Sequence, residues 1–140
     1  MNKHNMYIDI ETFSSVDIRT AGLYKYAESD DFEVLLLAYA IDDGEVELID
    51  LTNRNEQTAE RLLEVTRLLP DNSYLKCAHN AHFEMECLRR ELQVPIRPLQ
   101  WECTMVKGMY RGYPASLEKM GEALDMPEGK AKLRTGKALI

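Results

Sequence analysis

Met6-Tyr7-Ile8-Asp9-Ile10-Glu11 alternates without a break, placing Met6, Ile8 and Ile10 on one face of an extended chain and Tyr7, Asp9 and Glu11 on the other. That period is the signature of a half-buried strand, here with two carboxylates on its second face. The residues that follow, Thr12 to Glu28, read as a loop or irregular helical segment broken by Ser14, Ser15 and Gly22. Phe32 to Ile41 reads as a buried strand. Asp43-Gly44 signals a hairpin, and Glu45 to Leu51 alternates as its return strand.

Further along, Asn55 to Leu69 carries Ala59, Leu62, Leu63, Thr66 and Leu69 at helical spacing and stops at Pro70. Tyr74 to His79 is a short strand, and Asn80 can cap a helix from Ala81 to Leu92 whose apolar stripe is Phe83, Cys87, Leu88 and Leu92. Pro95 and Pro98 mark a loop, Gln100 to Cys103 a last short strand, and two short helices follow. The second begins at Ser116 and turns Leu117, Met120 and Leu124 inward. A hairpin followed by βα units predicts an α/β domain: a mixed sheet, antiparallel at the hairpin and parallel beyond it, with helices on its faces.

With 140 residues, 45% hydrophobic and 29% charged, the chain has the size and balance of one soluble globular domain. Its longest apolar run, Val34 to Ile41, is strand-sized and far short of a membrane helix. Met1 to Asn5 leads into an apolar stretch interrupted by carboxylates, unlike a secretory signal, so no membrane partner and a cytoplasmic location are expected. Three cysteines argue against a disulfide framework. The net charge is −7, but residues 128–140 carry a local +3 from Lys130, Lys132, Arg134 and Lys137 against Glu128. The expected organisation is a domain over 1–127 and a basic tail, or the start of a further segment, over 128–140.

Asp9 and Glu11 sit about 6.5–7 Å apart along one strand face, where like charges repel and a divalent cation would relieve them. Oxygen-only donors of this kind suit Mg²⁺ or Mn²⁺. On its own, Asp-x-Glu is also what a wet strand face looks like. The second cluster, Ala78-His79-Asn80-Ala81-His82-Phe83-Glu84, spans a strand end and the first turn of the next helix, where open α/β sheets place their ligands. Glu84 there gains from the positive helix end, and as a third carboxylate it would complete a cluster able to hold two ions. Cys77, His79, His82 and Cys87 offer a competing zinc set, but their spacing matches no common ribbon or finger.

Tyr7-Ile8-Asp9-Ile10-Glu11-Thr12 resembles the first motif of the DEDD 3′→5′ exonucleases, and Asn80-Ala81-His82-Phe83-Glu84 resembles their second, Asn-x-x-Phe-Asp. Three further stretches look like the N-terminal exonuclease domain of phage-type family A DNA polymerases. They are Ala21 to Ala27 with Phe32 to Leu35, Trp101 to Thr104, and the helix from Ser116 to Met120. The resemblance implies an RNase H-like fold and a proofreading 3′→5′ exonuclease working through two Mg²⁺ or Mn²⁺ ions on a single-stranded DNA 3′ end. Asp9, Glu11 and Glu84 would be the catalytic metal ligands. Thr12 and Phe13 would flank the terminal nucleotide, Asn80 and Phe83 would shape the helix entrance beside it, and Lys130, Lys132 and Arg134 would touch phosphates.

Two positions depart from the family pattern. Glu84 stands where Asp is usual, which keeps the charge and lengthens the arm by one methylene. The third motif, a Tyr or His four or five residues before a final Asp, is not found: the only aspartate after Glu84 is Asp125, with Gly121 and Met120 at those offsets. The expectation is an N-terminal part of a longer polymerase, its last acid lying past Ile140. The alternative is an interaction or nucleic-acid-binding module that keeps the fold without turnover.

Overall fold

The structure is a computed structural model, and it describes residues 3–127. Five strands, β1 (His4–Phe13), β2 (Glu33–Ile41), β3 (Glu47–Asp50), β4 (Tyr74–Ala78) and β5 (Trp101–Cys103), form one sheet in the order β3-β2-β1-β4-β5. β1 pairs antiparallel with β2, and β2 with β3, whereas β4 runs parallel to β1 and β5 parallel to β4. This is the mixed sheet expected from a hairpin followed by βα units.

The predicted alternation of β1 holds. Met6, Ile8 and Ile10 are buried while Tyr7, Asp9 and Glu11 are exposed. The buried face meets two helices, α3 (Glu56–Leu68) and α4 (Ala81–Leu92), through Val65 and Leu69 beside α3 and Cys87 and Leu88 of α4. Val34, Leu37, Tyr39, Ile49 and Leu51 complete that core from the hairpin. Val34 and Leu37 both turn inward because β2 carries an extra residue, Leu35, where Glu11 pairs with Leu36 and Thr12 with Val34. Such a bulge raises the local twist, and here it lies against the end of β1 that presents Glu11, Thr12 and Phe13.

The segment after β1, up to Glu28, is the irregular helical stretch expected, broken at Gly22. It forms two single-turn helices, α1 (Ile18–Ala21) and α2 (Leu23–Ala27), hinged at Gly22, whose φ of 85° favours glycine. The hairpin turn falls at Asp43-Gly44 as expected, the Gly44 amide donating to the Ile41 carbonyl at 2.9 Å, and Asp42 braces it. Asp42 holds φ at 49° and accepts from the Asn5 amide at 2.8 Å while meeting His4 Nδ1 at 2.6 Å. The return strand is also shorter than Glu45–Leu51, running only from Glu47 to Asp50.

On the other face lie α5 (Thr104–Tyr110) and α6 (Leu117–Ala123), with Met120 of α6 packed over Gly108 of α5. Of the three α6 positions expected to face inward, only Met120 is buried; Leu117 and Leu124 are each about half exposed. The two short helices cover only part of that face, so one side of the sheet is sealed and the other is left open beside Asp9. No helix among the described residues is long and apolar enough to cross a membrane.

Candidate functional site

The carboxyl ends of β1 and β4 and the first turn of α4 meet at one corner of the sheet. Asp9 and Glu11 both lie on the exposed side of β1, and the charge of Asp9 is felt at Glu84. Small partners flank Asp9: Ala38 lies opposite it, and Ala40 and Ala78 line the same hollow, a cavity of about 670 Å³ that also takes in Tyr7, His79, Thr104 and Leu117.

Glu84 reaches the corner from α4 and is the unusual member. It is 3% exposed, and Oε2 has no hydrogen-bond partner among the described residues. Burial is the main cause that pushes its carboxyl up to about 8; its own backbone amide pulls the other way, and the nearby charge of Asp9 adds a smaller upward push. A buried acid with an orphaned oxygen, in the field of a second acid, is a poor structural element. Its donor chemistry, oxygen only, fits a hard divalent cation. The three acids do not stand as a finished ligand set, however: among the described residues no group of three or more His, Cys, Asp or Glu is placed to hold a metal ion.

The backbone that opens α4 differs from the expectation. Asn80 makes no side-chain cap; it takes the left-handed conformation itself, at φ 66° and ψ 49°, and its carbonyl accepts from the Phe83 amide at 2.9 Å. Asn tolerates that region better than most residues, and here it turns the chain sharply from β4 into the helix. Thr12 shares a hydrogen bond of 2.7 Å with the Tyr26 hydroxyl, and the Tyr26 ring packs on Phe83 at 6.2 Å and on Phe32 at 5.8 Å. Phe83 is therefore mostly a packing residue that joins α4 to α2. Phe13 remains half exposed just past the acids. Lys130, Lys132 and Arg134 lie outside the described residues.

The zinc alternative does not assemble. Cys87 is sealed in the core with its thiol pushed up to about 12, chiefly by burial, and His82 instead meets Tyr24. His79 is committed elsewhere: Nε2 donates to the Ala115 carbonyl at 2.8 Å, and Nδ1 shares a hydrogen bond of 3.1 Å with the Thr104 hydroxyl. That clamp ties the end of β4 to α5 and to the loop before α6. Sequence reasoning singled out neither this clamp nor the Thr12–Tyr26 bond, because both partners of each pair are distant in the chain.

No protein-family model matches the chain. Its fold is that of the RNase H-like nucleases. RNase D of Trypanosoma brucei in complex with RNA superposes with a TM-score of 0.62 at 16% identity, over 97% of this chain and 43% of that one. NrnC of Brucella melitensis with bound Mg²⁺ does so at 0.60 and 18% identity, over 91% and 57%. The sequence is related to a DNA polymerase: 133 residues are 43% identical to that of Bacillus phage SP02, covering 95% of this chain and 20% of the polymerase. The chain thus spans about a fifth of the length of its curated relative.

Proposed function

We propose that the chain is the 3′→5′ exonuclease domain of a family A DNA polymerase of phage type, removing nucleotides from single-stranded DNA 3′ ends with Mg²⁺ or Mn²⁺. The observation that carries this reading is Glu84. It is a buried carboxyl with an unpartnered oxygen, in the field of Asp9, on a nuclease fold whose sequence relative is a phage polymerase. Asp9, Glu11 and Glu84 would hold two divalent ions, which when bound supply an activated water and neutralise the leaving 3′ oxygen.

The chain's own residues have distinct tasks. Asp9 and Glu11 present ionisable oxygens from a rigid strand, with spacing set by the pleat. Glu84 must give up its proton before it can act as a ligand, so occupation of the site is coupled to proton release. Phe13 offers a ring for stacking on the terminal base, and Thr12, held by Tyr26, fixes the backbone between that ring and Glu11. Lys130, Lys132 and Arg134 would contribute phosphate contacts, and the remainder of the polymerase is the natural partner.

The test is a 5′-labelled single-stranded DNA incubated with Mn²⁺ or Mg²⁺. Stepwise loss of 3′ nucleotides that vanishes in Asp9→Ala supports the nuclease. A second reading, a nucleic-acid-binding module without turnover, is favoured by the lack of a finished three-ligand set among the described residues. Binding of DNA without metal-dependent cleavage, in the wild type as in Asp9→Ala, would select it.

A further inference from the structure

Two aromatic layers join α2 to the first turn of α4. The inner layer is Tyr26 on Phe83, already tied to Thr12. The outer layer is Tyr24 on His82, edge to face at 5.8 Å and 70°, with the Tyr24 hydroxyl 3.4 Å from His82 Nε2. The inner pair needs no further account, since it fills the core. The outer pair does: Tyr24 is 56% exposed and His82 is exposed, so this contact buries little. Its place is set by chain geometry. Tyr26 bonds Thr12, the residue after Glu11, and Phe83 precedes Glu84, so Tyr24 and His82 stand within two residues in sequence of groups that adjoin those two acids.

We infer that Tyr24 and His82 form a stacking platform for the bases of a single strand entering the carboxylate site, an inference that rests on the nuclease reading above. Single strands are held by aromatic faces together with basic groups, and stacking tolerates any base because every base has a π face. Stacking is the better suited of the two here, because the domain is acidic and many of its described cations are already engaged. Arg54, Arg61, Arg89 and Lys107 each pair with a carboxylate, and Lys76 is buried. Arg89, seven residues beyond His82 on the same face of α4, is held by Glu86 at 2.8 Å. The T-shaped contact holds the Tyr24 ring in one orientation before any ligand arrives, which lowers the ordering cost of stacking.

The experiment is a two-by-two comparison by fluorescence anisotropy in EDTA, where no turnover occurs. An eight-nucleotide single-stranded DNA, intact or with abasic positions near its 3′ end, is titrated with wild type and with Tyr24→Ala. The expected result is an affinity loss of about tenfold for either change alone and little further loss for both together. His82→Ala runs the same cycle should Tyr24→Ala fail to fold, and Tyr24→Phe, which keeps the ring, should bind like wild type. Unchanged affinity in Tyr24→Ala, or two losses that simply add, overturns the inference and assigns the pair a purely structural role. Base-dependent binding by a wild type that never hydrolyses DNA keeps the platform and removes the nuclease reading. A wild type that does not bind at all removes both.

Discussion

Lys76 and Glu84 are both ionisable side chains hidden from water, and their surroundings could hardly differ more. Lys76, fully buried on β4, gives its ammonium to the carbonyls of Asp71 at 2.8 Å and Tyr74 at 3.0 Å, stitching the turn before the strand to the strand itself. Glu84, nearly as buried on α4, leaves one oxygen with no partner among the described residues and faces the charge of Asp9. Burial alone therefore does not separate the two side chains; the hydrogen-bond inventory does. A buried polar group whose partners are satisfied holds the fold together, while an unsatisfied one is a cost that a bound ligand would relieve.

The strongest way to break this contrast is substitution at Glu84 itself. Glu84→Gln keeps the shape and removes the ligand charge, and metal-dependent loss of 3′ nucleotides should fall by about 10²–10³-fold, the usual cost of losing one preorganised transition-state contact. Retained cleavage in that variant would put Glu84 outside the chemistry.

Next in size is the pH dependence of stability. Burial and Asp9 raise the folded-state value of Glu84 from 4.5 to about 8, so between those limits the folded chain holds a proton that the unfolded chain has lost. Stability must therefore fall as pH rises from about 4.5 to about 8, by up to a few kcal/mol on linkage grounds. Urea midpoints across that range should show the slope in wild type, a flatter line in Glu84→Gln, and recovery in wild type when Mg²⁺ is added. Lys76 carries the opposite sign: burial lowers its value below 10.5, so its penalty diminishes as pH rises through the lowered value.

Lys76→Met should keep the packing volume yet strip both carbonyls of their donor, costing about 2–3 kcal/mol in the urea midpoint at neutral pH while leaving Glu84 untouched. Equal stability effects at the two positions would erase the distinction between them. The smallest effect is expected at Thr12→Val. This change removes only the hydroxyl bonded to Tyr26 and should cost about 1 kcal/mol by the same measurement.

Much of the architecture was legible in local pattern. The alternation in β1, the hairpin, the helical spacing of α3 and α4 and the short β5 all depend on residues within a few positions of one another, and that is the range over which periodicity speaks. Legibility failed where a side chain's role is set by something distant. Asn80 has the composition of a cap, yet the tight exit from β4 makes it a left-handed hinge. Leu117 and Leu124 have the spacing of a buried face, yet α6 is too short and too peripheral to bury more than Met120. Asp43-Gly44 makes the hairpin turn its letters signal, yet the brace on it from His4 and Asn5 of the neighbouring strand to Asp42 joins residues far apart in the chain.

By itself the sequence determined the order and type of the elements and the identities of the three acids, because strand and helix periods and short motifs are properties of neighbouring residues. Only the tertiary structure decided that Glu84 would be buried while Asp9 and Glu11 stayed exposed, that one face of the sheet would be sealed and the other left open, and that Lys76 would be satisfied where Glu84 is not. Those outcomes depend on which surfaces meet across the chain, and desolvation, the force that separates the three acids, exists only once they have met.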